Sequence, residues 1–250
     1  MAELSHKYLK KFKEIETQLK KMSRVSSDAT QFKDILDKAK QNCPLIKYQE
    51  GLIWDLYSLR NIFAHTDREK YIAEVNQLAY KTIDSLVRLI SNPPTVGEKF
   101  KQKVYWVLDN EITEVVIKKM RDDLYTHVPV YKKSDDGYKF IGVFSESAVF
   151  YWLADNIREG KAGFYKQQIK NVNPKYLNDP NDLYKFISPD KDIFEVYDEF
   201  KTAIGDRKRL GAIFITHSAN KNELPIGIVT AWDLPEIESY FKNFKNRRIN

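Results

Sequence analysis

Cysteine is almost absent from this chain of 250 residues: Cys43 stands alone. A single thiol excludes an internal disulfide and any cysteine-rich zinc site. Histidine is nearly as scarce. His6, His65, His127 and His217 are widely scattered, with no His-x3-His or His–carboxylate spacing that would suggest a metal cage. Long apolar runs are missing as well. The longest fall far short of the roughly 18 residues that read as a spanning helix, so no membrane partner is expected. The start, Met1-Ala2-Glu3-Leu4-Ser5-His6-Lys7, lacks the apolar core of a secretory leader. These absences lead to the expectation of a cytoplasmic protein.

What is present is ordinary for a globular chain. Hydrophobic residues at 42% and charged residues at 30% are enough for a packed core and a solvated surface. The length allows two domains, each with its own core. The net charge of +6 permits a polyanionic partner without requiring one. The tail Lys242-Asn243-Phe244-Lys245-Asn246-Arg247-Arg248 is locally basic. It reads either as a solvated helix end, with cations at the negative end of the dipole, or as a nucleic-acid contact.

One segment is written twice. Gly142-Val143-Phe144-Ser145 recurs as Gly227-Ile228-Val229-Thr230. Each copy follows a strand-like run, Val128-Pro129-Val130-Tyr131 and Ala212-Ile213-Phe214-Ile215. Amphipathic stretches precede (Glu111 to Met120, Asp192 to Ile204) and follow (Ser147 to Ile157, Leu234 to Phe244). A duplicated β-α-β-β-α unit is an internal repeat, and it sets the architecture of the second part of the chain. With Thr126-His127-Val128-Pro129-Val130 and Leu210-Gly211-Ala212-Ile213-Phe214 it resembles a CBS-domain pair, a Bateman module, from about Val104 to Lys245. On that resemblance one half spans about 100–160 and the other about 183–245. The stretch Gly160 to Asp182 links them and is expected to be partly helical around Phe164 to Ile169. The resemblance implies clefts that bind adenine nucleotides (AMP, ADP, ATP or a related compound).

In the second copy, Thr230 and Asp233 form Thr-x-x-Asp at a helix start. One reading is structural, with Thr230 capping the helix and Asp233 complementing its dipole. The other adds a ligand, because a carboxylate can accept from both hydroxyls of a ribose. The resemblance assigns that role to this pair. It places Leu210, Gly211 and Ala212 beside the base, with Ile187 and Ser188 closing the cleft. Arg207, Lys208 and Arg209 could neutralise phosphates, although surface basic runs usually need no ligand. The first copy departs from the pattern. Val128 and Ser145 match, but Ala148 stands where the aspartate belongs, and a methyl cannot accept from a ribose diol. That position is either empty or holds a different ligand. His127 faces the same region, as a phosphate contact or as a packed or solvated strand histidine.

Residues 1–94 read as four amphipathic helices, a bundle. Their apolar stripes run through Leu4, Tyr8, Phe12, Ile15, Leu19 and Met22, then through Phe32, Ile35, Leu36 and Ala39. The third stripe holds Leu52, Ile53, Leu56, Leu59 and Phe63, and the fourth helix is expected from about Asp67 to Ile90. Thr66-Asp67-Arg68-Glu69 has the spacing of a capping box. The expected class is therefore α plus α/β, with the boundary at Pro93-Pro94-Thr95-Val96-Gly97.

Ahead of that box lies Arg60-Asn61-Ile62-Phe63-Ala64-His65. Arg60 and His65 sit about 140° apart on an ideal helix, so they converge only through the arginine's length, a helix break or a second subunit. The segment resembles the Arg-x4–6-His hallmark of the HEPN superfamily, matched at Arg60, Asn61 and His65. Many HEPN domains are metal-independent ribonucleases acting as dimers; others only bind. Histidine could move the 2′-OH proton near neutral pH while arginine grips the phosphate. Three roles stay open: catalysis, an inactive nucleic-acid or dimerisation surface, and plain structure. The expected function is adenine-nucleotide sensing that controls the attached helical domain, possible RNA cleavage included. The alternative is a non-catalytic regulatory module acting on a separate partner. A homodimer is expected, with Trp54, Tyr57 and Phe63 as apolar surface.

Overall fold

The computed structural model describes residues 2–24, 31–64, 74–160 and 164–245. In chain order the first helices are α1 (Ala2–Ser23), α2 (Phe32–Asn42), α3 (Pro44–Ala64) and α4 (Gln77–Ser91). The rest runs α5 (Val96–Lys99), β1 (Val107–Leu108), α6 (Thr113–Asp122), β2 (His127–Ser134), β3 (Gly137–Ser145), α7 (Glu146–Arg158) and α8 (Pro174–Leu177). It continues with β4 (Asp182–Ile187), α9 (Ile193–Gly205), β5 (Arg209–Ile215), β6 (Gly227–Thr230) and α10 (Leu234–Lys245). No described helix is long and apolar enough to cross a membrane.

The chain divides into two compact units. The first holds the helices of residues 1–94, the start of α9 and α10 from Pro235. The apolar stripe of α1 goes inward: Tyr8, Phe12, Ile15 and Leu19 are fully buried, against Leu36, Ile53, Leu56, Ile83 and Leu86 of the other helices. The Tyr8 hydroxyl donates to the Leu56 carbonyl at 2.8 Å, which satisfies the one polar atom of that ring in the core. Phe63 is buried, and Tyr57 stacks on Phe32 at 4.1 Å with Trp54 edge-on. The residues expected to form an apolar dimer surface are thus used within the unit. Tyr48 on α3 meets Tyr197 at 5.1 Å and Phe241 at 4.8 Å, and its hydroxyl donates to Asp198.

One boundary differs from expectation. Residues 74–76 are not helical, and α4 starts at Gln77. Asn76 is extended and its side chain accepts the Ala79 amide at 2.8 Å, so it is the N-cap. Val75 continued the apolar stripe and is buried, but the cap residue behind it sets the start. His65, Ile72 and the proposed box Thr66–Glu69 lie outside the described residues, as do Asn246–Arg248 of the basic tail.

The second unit contains the repeat, and both copies have one topology. β1 pairs parallel with β2, and β2 antiparallel with β3; β4 pairs parallel with β5, and β5 antiparallel with β6. The repeated glycine has a steric cause. A Cβ on Gly142 would lie 2.5 Å from the Leu177 carbonyl oxygen, and one on Gly227 would lie 2.4 Å from that of Phe100. The first copy has its own core of Val116, Met120, Val128, Phe144, Ala148 and Trp152. A further core, including Val104, Tyr131, Phe140, Ala212 and Phe214, joins the two sheets. The connecting stretch is partly helical as expected, with single 3-10 turns at Phe164–Lys166 and Ile169–Asn171 before α8.

Candidate functional site

The sequence at the end of β6 forces a tight start. Thr230 is extended, and Ala231–Asp233 form one 3-10 turn leading into α10. Both elements of the capping reading are met. The Thr230 hydroxyl oxygen accepts the Trp232 amide at 3.3 Å. Asp233 Oδ2 accepts the Thr230 amide at 2.7 Å and its hydroxyl at 3.0 Å. Among the described residues Oδ1 of Asp233 accepts nothing, so one carboxylate oxygen remains for a ligand.

Asp233 lines a cleft of about 600 Å³. The second copy contributes Ile228, Thr230, Trp232 and Asp233; the first contributes Lys103, Tyr105, Tyr125, Thr126, His127 and Glu146. Tyr105 and Tyr125 stack at 5.2 Å, with the Lys119 ammonium over both rings and paired with Asp123 at 2.7 Å. Burial pushes the Tyr105 phenol up, against the pull of Lys119. The Tyr105 phenol therefore stays neutral at pH 7, and the two rings offer flat apolar surface. A second cleft of about 310 Å³ adjoins it, sharing Thr126, His127, Glu146, Thr230 and Trp232 and adding Lys208, Arg209, Leu210 and Gly211. Charge is divided between them. Asp123, Glu146 and Asp233 outnumber Lys103 in the larger cleft, whereas Lys208 and Arg209 outnumber Glu146 in the smaller.

Asp182 lies against the wall of the smaller cleft. Its side chain is only 5% exposed. Ser147 donates to Oδ2 at 2.5 Å; His127 Nε2 and Arg209 Nε approach Oδ1, each at 3.5 Å. Burial alone would raise its pKa, but hydrogen bonds from His127, Ser145 and Ser147 outweigh it and hold the carboxyl below the usual range. An ionised carboxylate has no proton to give, so Nε2 is the donor. Nδ1 of a neutral ring then accepts the Thr126 hydroxyl, 2.9 Å away. A hydroxyl chain runs through the first copy: the Ala148 amide donates to Ser145 Oγ, Ser145 Oγ and Ser147 Oγ lie 3.1 Å apart, and Ser147 donates to Asp182.

The expected site residues separate accordingly. Thr230 and Asp233 line the larger cleft; Arg209, Leu210, Gly211 and Thr230 line the smaller. Ile187, Ser188, Ala212, Val128 and Ser145 line neither. Ile187 ends β4 opposite Ile215, Ala212 and Val128 are core residues, and Ser145 caps α7. Ile187 and Ser188 therefore do not close either cleft. Arg60 and Asn61 occupy the last turn of α3. Arg60 donates to Asn61 Oδ1 at 3.1 Å, and its other arm lies 3.8 Å from Glu16 on α1. Their third expected partner, His65, is outside the described residues. The sequence reading missed Tyr105, Tyr125, Glu146, Trp232, Ser147 and Asp182. The nearest signals were the aromatic residues ahead of β1 and β2 and the Ser-x-Ser pair where the first copy lacks its aspartate.

Residues 96–155 match the CBS domain family. No curated protein matches the chain. Among solved structures, CBSX2 in complex with AMP is 13% identical, covering 60% of this chain and 98% of that one, with a TM-score of 0.41. The CBS domain pair of protein MJ0100, in complex with 5′-methylthioadenosine and S-adenosyl-L-methionine, is 14% identical over 59% and 97%, with a TM-score of 0.40. The CBS domain of a bacterial CNNM/CorC family Mg²⁺ transporter is 16% identical over 75% and 93%, also at 0.40.

Proposed function

We propose that the duplicated unit binds an adenine nucleotide in the larger cleft and acts as a regulatory module. The observation that carries this is Asp233: one carboxylate oxygen fixes the turn, the other accepts nothing among the described residues, and the residue lines a cleft of nucleoside size. The ribose diol donates to that oxygen, the base lies toward the Tyr105–Tyr125 wall, and a 5′-phosphate points into the adjoining cleft at Lys208 and Arg209. The helical unit is the receiver of the signal. The Glu16 carboxylate and Asn61 beside Arg60 favour a binding or docking role for that motif over phosphate cleavage. A homodimer fits the same reading, with the paired units responding together.

Thermal melting with AMP, ADP and ATP tests the binding. A ligand that binds only the folded state raises the melting temperature. Asp233→Ala should abolish most of that rise while the protein stays folded, because losing a cap costs only about 1 kcal/mol. A rise that survives in Asp233→Ala rules out this cleft. Labelled RNA incubated with and without the stabilising nucleotide should remain intact; cleavage lost in Arg60→Ala would restore the ribonuclease reading.

A further inference from the structure

Among the described residues, Asp182 is a buried carboxylate met by donors, chiefly the Ser147 hydroxyl, the His127 imidazole and the Arg209 guanidinium. A hydroxyl relay, an imidazole N–H and a guanidinium converging on one point make a set of partners suited to an anion. Its place in the repeat is informative. Ser145 pairs with His127 and Thr230 with Ala212, so Thr126 and Gly211 are equivalent positions in the two copies. A Cβ at Gly211 would lie 2.2 Å from His127 Nε2 and 2.6 Å from Asp182 Oδ1. The second copy thus has no side chain where the first has threonine, and the pair fills that space. Ser145 and Ser147, the donors on the first copy's side, stand at the helix start whose own aspartate is replaced by Ala148.

We propose that Ser147, His127 and Arg209 form an anion site that Asp182 fills from within the chain, and that a ligand phosphate in the adjoining cleft competes with it for His127 and Arg209. The competition rests on the nucleotide reading above; the anion site does not. His127 and Arg209 line the cleft, whereas Asp182 does not, so both can turn from one partner to the other. Asp182 is the first residue of β4 and is registered against Arg209 of β5. A phosphate that draws off His127 and Arg209 leaves a buried carboxylate answered only by the serine hydroxyls of the first copy, and the strand it starts must adjust. The contact is therefore autoinhibitory toward phosphorylated ligands and indifferent to the bare nucleoside.

The test uses the full chain and two variants. Asp182→Ala empties the site. Its melting temperature should rise in formate or inorganic phosphate relative to chloride at equal ionic strength, with no such rise in the wild type. Equal response of variant and wild type overturns the anion site. If Asp182→Ala does not fold, Asp182→Asn keeps the shape, and phosphate should stabilise it more than the wild type; equal stabilisation overturns the proposal. Calorimetry decides the competition. Asp182→Asn should bind AMP about tenfold more tightly, the effect of removing one nearby negative charge, with adenosine affinity unchanged. AMP and adenosine shifting together, or neither shifting, overturns it. If neither compound binds the wild type, the nucleotide reading fails, and the formate result still decides the anion site.

Discussion

The two copies of the repeat meet one requirement in different ways. In the second, the carboxylate at the start of the helix is local: Asp233 closes back on Thr230, three residues away. In the first, the corresponding residue is Ala148, and the carboxylate comes from Asp182, reached through Ser147. Backbone topology is the same in both. The consequence for the surface is not. The carboxylate supplied locally belongs to a residue that lines an open cleft, whereas the one supplied from the other copy is itself buried. Duplication therefore fixed the scaffold, and one aspartate's position separates a candidate ligand site from a filled one.

Three changes would break or sharpen that contrast. The largest effect is expected at Gly211. Gly211→Ala sets a methyl against His127 and Asp182, and overpacking of this kind should cost about 3 kcal/mol, read as a lower midpoint in urea. An unchanged midpoint would mean that the His127–Asp182 pair yields freely. Next is a transfer of the carboxylate. Asp182→Ala should cost about 2 kcal/mol, because Ser147 and His127 lose their acceptor. Ala148→Asp added to it restores Ser-x-x-Asp and should return about 1 kcal/mol through the coupling of neighbouring sites. Ala148→Asp alone should be destabilising, since two carboxylates then share the same serines. Strict additivity of the two changes would show that the positions are not alternatives.

The smallest effect concerns pH. The folded-state pKa of Asp182 is lowered, so the stability it contributes is fully present above the unfolded carboxylate value, near 4, and is lost as pH falls toward the folded value. The difference in melting temperature between wild type and Asp182→Asn should shrink as pH falls below about 4. A difference that grows on acidification below that value would contradict the assigned charge.

Much of the scaffold was legible in the chain. The paired Gly142 and Gly227 could be recognised as a repeat because each meets a crossing carbonyl that excludes a side chain. Thr230 and Asp233 were legible because capping acts over three residues. Asp182 was not. Its role depends on the register of β4 against β5 and on Ser147 from the other copy, neither of which leaves a local pattern. The start of α4 was misplaced because Val75 satisfies helical spacing while Asn76 stops the helix behind it. Glu16, the carboxylate beside Arg60, sits on another helix and outside any motif.

Trp232 gives the larger cleft an optical property. Of the four tryptophans, Trp152 is buried, Trp54 and Trp106 are half-buried, and Trp232 is 84% exposed at the rim of both clefts. Its indole emits from a watery environment, while Trp152 reports on a packed interior and the other two are partly covered. Emission collected on the long-wavelength side of the band therefore favours the one exposed fluorophore beside the candidate site, and occupancy can be followed in the unlabelled protein as quenching of that emission.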